Sequence, residues 1–162
     1  VRFLSVSLVS LLPLAISCET WDLFPESKIT GSTAPYELTI LSAESCPLPP
    51  GLDPKEVTIQ SYHVRLTGGD PGGVPANYFY ASLLSTDGGR YLSGYTGCQP
   101  VLSGPPLASG ESREAYINFA LPPTKTPETL IFSPALLKTT GELHPLKIDL
   151  LKQVELKSAA EQ

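Results

Sequence analysis

The sequence predicts an all-β fold, an antiparallel β-sandwich. Two observations carry this. Apolar residues alternate with polar ones in short runs, the period of a half-buried strand. These runs are punctuated by many of the chain's 17 prolines and 13 glycines, which break helices and supply turns. Roughly eight such segments over about 120 residues suit two packed sheets. No internal repeat is visible.

The chain opens with VRFLSVSLVSLLPLAISC, where one positive charge, Arg2, precedes an apolar run from Phe3 to Ile16 without an acidic residue. A bilayer-spanning helix needs about 20 apolar residues. This run is shorter and is broken by Pro13, so residues 1–17 read as a secretory signal peptide. Val1 ahead of Arg2 reads as an alternative start codon translated literally, an expectation of bacterial origin. Small residues at Ala15 and Ser17 satisfy the cleavage rule just before Cys18. The same stretch resembles a lipobox, whose cysteine receives lipid, although a lipobox most often has Leu where Ala15 stands. The alternative is ordinary secretion, with Cys18 a free N-terminal residue.

An exported chain is not expected to leave a thiol idle. With Cys18 as the lipid attachment point and membrane anchor, Cys46 and Cys98 remain as one disulfide pair. An oxidising compartment permits that bond, and closing a loop of about 50 residues contributes roughly 2–4 kcal/mol. A cysteine metal site competes, but it needs more soft ligands than are present. The net charge is −5, and loss of Arg2 with the signal takes it to about −6. An acidic surface argues against nucleic acid and anionic lipid headgroups as partners.

Residues 18–34 are polar and punctuated and read as a tether, with Trp21, Leu23 and Phe24 available to cover an edge of the domain. The sandwich is expected over 35–156 and a C-terminal tail over 157–162. Tyr36, Leu38 and Ile40 alternate with Glu37 and Thr39 as a first strand. After the proline-rich loop SCPLPPGLDPKE, the run from Glu56 to Thr67 changes phase: Val57 and Ile59 share one face, Tyr62, Val64 and Leu66 the other. A bulge near Gln60 or Ser61 would reconcile them.

GGDPGGVP is a turn, and Asn77 to Ser85 is the next strand. Asp87-Gly88-Gly89 supplies a hairpin turn before Arg90 to Tyr95 returns. The chain then loops from Gly97 to Gly110. Ala115, Ile117, Phe119 and Leu121 share a face of one strand, and Thr129 to Phe132 form another. Leu146, Ile148 and Leu150 alternate in a closing strand over Leu143 to Leu156, although a helix fits the same residues through Ile148, Leu151 and Glu155.

Residues 87–132 carry a resemblance. Asp87-Gly88-Gly89-Arg90-Tyr91 is followed by Leu102-Ser103-Gly104, Leu107, Ser109-Gly110-Glu111, Ile117, Phe119, Leu121-Pro122 and Leu130-Ile131-Phe132. This order resembles the immunoglobulin-like domains of unknown function carried by many bacterial lipoproteins, similar in fold to a small secreted mycobacterial antigen. The resemblance covers roughly Tyr36 to Pro134, with Ala115 standing where those domains often have Gly. It implies an immunoglobulin-like sandwich of about seven or eight strands at the cell envelope, and brings no shared catalytic residues.

Enzymatic patterns are missing from the sequence: no G-x-S-x-G elbow, no phosphate-cradling glycine loop and no H-E-x-x-H. The two histidines, His63 and His144, lack nearby co-ligands in sequence for a metal centre. Asp70 and Asp87 are each isolated in sequence, which suits turns better than calcium. Ser61, His63 and Asp149 hold the groups of a triad, which geometry alone would decide. The binding candidate is aromatic. Tyr78 and Tyr80 would point to one strand face and Phe79 into the core, with Tyr91 and Tyr95 on the following hairpin. Such tyrosines form either a patch for protein or polysaccharide or cross-strand pairs that stabilise the sheet.

The expectation is a non-enzymatic, lipid-anchored envelope module that binds a protein or polysaccharide and needs no cofactor. The alternatives are an envelope enzyme or metal carrier using His63 or His144, and a structural subunit of an envelope complex.

Overall fold

Tyr36, Leu38 and Ile40 are buried, as their alternation requires, and they open strand β1 (Tyr36–Ser45). The structure is a computed structural model and describes residues 35–136 and 145–152. The segments expected as signal peptide (1–17), tether (18–34) and tail (157–162), together with Cys18 and His144, lie outside the described residues.

The other strands are β2 (Thr58–Gly68), β3 (Ala81–Ser85), β4 (Arg90–Gly94), β5 (Ser112–Leu121), β6 (Pro127–Phe132) and β7 (Leu146–Asp149). All pairings between these strands are antiparallel, in the order β1-β2-β5-β4-β3-β6-β7. β4 passes from one layer to the other: Arg90, Tyr91 and Leu92 pair with β3, while Ser93 and Gly94 pair with β5. Cut at β4, the layers are β1-β2-β5-β4 and β3-β6-β7. That is the four-plus-three arrangement of a constant-type immunoglobulin sandwich.

The core lies between the layers. Val64, Leu66, Ile117 and Phe119 from one side meet Leu83, Leu130, Phe132 and Ile148 from the other in a single buried cluster. Burying a side chain of this size contributes about 1.5–3 kcal/mol. Tyr36 ties the layers together edge-on: its ring lies 5.8 Å from that of Phe132, and its hydroxyl donates to the Phe132 carbonyl at 3.0 Å.

Three local expectations are corrected. β2 has no bulge at Gln60 or Ser61: its pairing with β5 runs unbroken from Thr58 opposite Leu121 to Thr67 opposite Ser112. The irregularity lies across the ladder in β1, between Ile40 and Ser42. The burial phase in β2 changes because its start is covered on both faces. Ser61 is buried on the outer side, under the loop whose Cys98 N–H donates to the Ser61 hydroxyl.

Second, Asn77 to Ser85 is not one strand. Tyr78–Tyr80 form a 3-10 turn, because the Asn77 side chain accepts from the Phe79 N–H at 3.3 Å and the Ala81 N–H returns to the Tyr78 carbonyl. A side chain that captures the backbone two residues on competes with strand pairing. Phe79 therefore points outward, 59% exposed, instead of into the core. Third, β7 ends at Asp149. Its carboxylate accepts from the N–H groups of Leu151 and Lys152, capping a helical turn there. Ile148 thus follows the strand reading, and residues 143–144 and 153–156 of this segment lie outside the described residues.

The hairpin over residues 85–90 closes as expected, with the Ser85 N–H donating to the Gly89 carbonyl at 2.9 Å. Gly88 supplies the positive φ of +84°, whereas a Cβ on Gly89 would sit 2.8 Å from the Ser85 hydroxyl. The long connections belong to the core. Val74 and Leu107 exchange backbone hydrogen bonds of 2.9 and 2.8 Å, and both are buried along with Leu102.

Candidate binding surface

The 3-10 turn and the end of β4 bring aromatic rings together at the surface. Tyr78 is held by its carbonyl, which accepts from the Ser93 hydroxyl of β4. Its ring centre lies 6.5 Å from that of Tyr95, inclined at 60°, and 6.3 Å from that of Phe79, edge-on at 75°. Phe79 in turn lies 4.3 Å from Tyr80, and Tyr80 lies 6.4 Å from the core residue Phe132. A connected file of rings thus runs from the core outward.

Its outer members are Phe79 and Tyr95, the latter 66% exposed. Tyr78 and Tyr80 are partly buried against the core, and so is Tyr91. Of the four tyrosines singled out in the sequence, only Tyr95 is an exposed group, and Phe79 takes the place expected for its neighbours. Leu92 on β4 is a further exposed apolar side chain, at 74%.

The loop carrying Tyr95 is anchored along its length. Gln99 Nε2 donates to the Tyr95 carbonyl at 3.1 Å, and Asn118 Nδ2 donates to the Cys98 carbonyl at 3.1 Å. Cys98 is joined to Cys46 by a disulfide with a Cα–Cα separation of 5.4 Å. The bond links the loop to the chain just beyond β1. Beneath it Asn118 is fully buried, with Gly97 lying so close above that an added Cβ would meet Asn118 Cγ at 2.5 Å.

A polar cluster occupies the outer face of β1, β2 and β5, beside the disulfide. The Tyr116 hydroxyl donates to the Glu44 carboxylate, 3.1 Å from each oxygen, and the Ser42 hydroxyl donates to the same group at 2.9 Å. Partial burial, then the hydrogen bond to Glu44 and its charge, push the Tyr116 hydroxyl pKa upward. His63 stacks on the Tyr116 ring at 4.8 Å and 24°. Ligand atoms of Glu44, Cys46 and Cys98 lie within 4.8 Å of one another. With the sulfurs bonded to each other, Glu44 is left as the only anionic donor of the three.

The groups of the imagined triad are not brought together. The Ser61 hydroxyl is buried and accepts from Cys98, and Asp149 stands on β7 in the other layer, occupied by Leu151 and Lys152. Asp70 and Asp87 act in turns. Asp70 accepts from the Gly72 N–H at 2.9 Å. Asp87 accepts from Lys125, Ser85 and Gly89, and those hydrogen bonds, Lys125 foremost, hold its carboxyl well below the usual carboxylate range.

No protein-family profile matches the chain, and no curated protein matches it in sequence. Solved structures do. A lipoprotein candidate from Bacillus subtilis, ycdA, has a TM-score of 0.54 at 16% identity, over 86% of this chain and 42% of that one. The secreted protein MPT63 of Mycobacterium tuberculosis has a TM-score of 0.48 at 16% identity, over 70% of this chain and 82% of its own. The yjhA protein of Bacillus subtilis has a TM-score of 0.48 at 15% identity, over 71% and 92%. The first of these is a likeness of fold, and this chain spans less than half of that protein's length.

Proposed function

We propose that the chain is a non-enzymatic binding module of the cell envelope, exported by its N-terminal segment and held to a membrane by lipid on Cys18. Its working surface is the ring group of Phe79, Tyr78 and Tyr95. The observation that carries this reading is that Phe79 and Tyr95 remain 59% and 66% exposed while the residues between and beneath them are fastened down. Large apolar rings offered to solvent on a rigid support lose little freedom when a partner covers them. The disulfide suits an oxidising compartment. Among the described residues no helix is long and apolar enough to cross a membrane.

Two measurements test it. Mass spectrometry of the N-terminus, with Cys18→Ala as control, is expected to find a lipid-modified Cys18, and an unmodified mature Cys18 refutes the anchor. A photo-crosslinker placed at position 95 in the full chain on intact cells is expected to capture an envelope component. Capture should be lost on Phe79→Ala. Equal capture from a crosslinker on Lys55, an exposed residue of the loop between β1 and β2, would remove the ring group from the proposal.

A further inference from the structure

The binding reading names a surface but no ligand chemistry, and charge and area together narrow it. Charged residues make up 17% of the chain, yet none occurs in 71–86 or 91–110, the segments that supply Tyr78, Phe79 and Tyr95. Opposite-charge steering, the usual means of drawing a charged partner to a site, is therefore not built into these segments. What stands beside the rings in sequence is neutral and hydrogen-bonding: Asn77 before the 3-10 turn, and Thr96 and Gln99 after Tyr95, the last two exposed. An amide such as Gln99 both donates and accepts.

Area points the same way. A buried aromatic side chain contributes about 150–250 Å², and two partly exposed rings offer less than twice that. A stable protein interface draws about 800 Å² from each partner, more than these two rings supply by themselves. A ligand a few sugar rings long is within reach of such a surface. The rings are also set at steep angles, 60° between Tyr78 and Tyr95 and 75° between Tyr78 and Phe79, so they form steps instead of one flat face. Successive pyranose rings each present a C–H face and an edge of hydroxyls. The C–H face meets the negative face of an aromatic ring, and the hydroxyls exchange hydrogen bonds with neutral amides.

We infer that the ring group binds a neutral polysaccharide, one sugar stacking on Tyr95 and another on Phe79, with Gln99 Oε1, the Thr96 hydroxyl and Asn77 Nδ2 serving the sugar hydroxyls, since Gln99 Nε2 and Asn77 Oδ1 are engaged within the chain. This rests on the binding reading above. Because Phe79 and Tyr95 are exposed, replacing them leaves the core intact, so loss of binding is separable from loss of folding.

The test is calorimetric titration of the folded chain with cellohexaose, chitohexaose and mannohexaose, and with polygalacturonate as an anionic comparison. The expected result is binding of at least one neutral hexasaccharide, weakened at least about tenfold by Phe79→Ala with Tyr95→Ala, at an unchanged melting temperature. Tyr95→Phe should retain it, since the ring face persists. No heat with any neutral hexasaccharide, a preference for polygalacturonate, or equal affinity in the double variant each overturns the inference. If the crosslinker at position 95 captures a protein while no hexasaccharide binds, the glycan is wrong and the binding surface stands. If both fail, both fall.

Discussion

At the scale of single residues, burial and hydrogen bonding separate positions that look alike in sequence. Phe79 and Phe119 are both phenylalanines in apolar runs, but one is exposed and the other fully buried beside Tyr62. Phe119→Ala is expected to cost about 3–5 kcal/mol by cavity formation, whereas Phe79→Ser should stay within about 0.5 kcal/mol of the parent. Urea unfolding monitored by circular dichroism measures both. Equal losses would contradict the outward placement of Phe79. Gly97 is the other telling residue. Its φ of +143° and its closeness to Asn118 leave no room for a Cβ. Gly97→Ala should therefore destabilise by more than the roughly 1 kcal/mol of an ordinary backbone mismatch. Because that loop carries Tyr95, the same substitution should also shift the Tyr95 ring resonances in NMR spectra.

At the scale of elements, the disulfide ties the far end of β1 to the loop after β4. Replacing Cys46 and Cys98 together by Ser is expected to lower stability by about 2–4 kcal/mol, read as a lower urea midpoint at similar slope. An unchanged midpoint would mean the loop is held by its hydrogen bonds to Ser61 and Asn118 alone. Much of this architecture was legible beforehand. Period-2 alternation located the inward faces of β1 and β5, the Asp-Gly-Gly turn located the hairpin, and cysteine parity led to the Cys46–Cys98 bond. The remainder depended on contacts that local pattern does not encode. Tyr78-Phe79-Tyr80 has strand composition, and only the Asn77 side chain's hold on the backbone turns it into a 3-10 turn. Val74 and Leu107 sit among prolines and glycines and read as loop, yet each completes the other's backbone hydrogen bonding in the core. The candidate surface was half visible for the same reason: the aromatic cluster stood out, but an apolar side chain's outward direction is set by the turn. The bond between Glu44 and Tyr116 joins residues 72 apart and depends on the register across β1, β2 and β5, including the irregularity after Ile40.

At the scale of the whole molecule, the core between the two layers holds two buried tyrosines, Tyr36 and Tyr62, and these set an alkaline limit on the fold. Burial raises the pKa of both Tyr36 and Tyr62 above the ordinary tyrosine value. For an acid whose folded pKa is raised, the unfolded chain loses its proton first. Stability is then fully present below about pH 10, the unfolded tyrosine value, and declines as the pH rises beyond it, because the unfolded state binds fewer protons than the native one. Tyr36 sits between the layers against Phe132, and Tyr62 packs edge-on against Phe119 at 6.1 Å, so ionising either places a charge in the shared core. Unfolding above pH 10 should therefore coincide with the rise in tyrosinate absorbance of these residues, as one cooperative step. Tyr62→Phe removes one titrating hydroxyl and keeps the ring, and is expected to flatten the fall in urea midpoint between pH 9 and 11 relative to the parent chain. Ionisation of Tyr36 and Tyr62 near pH 10 without loss of β-sheet signal would show that their hydroxyls reach solvent. The packing of the two layers described above would then be wrong at its centre.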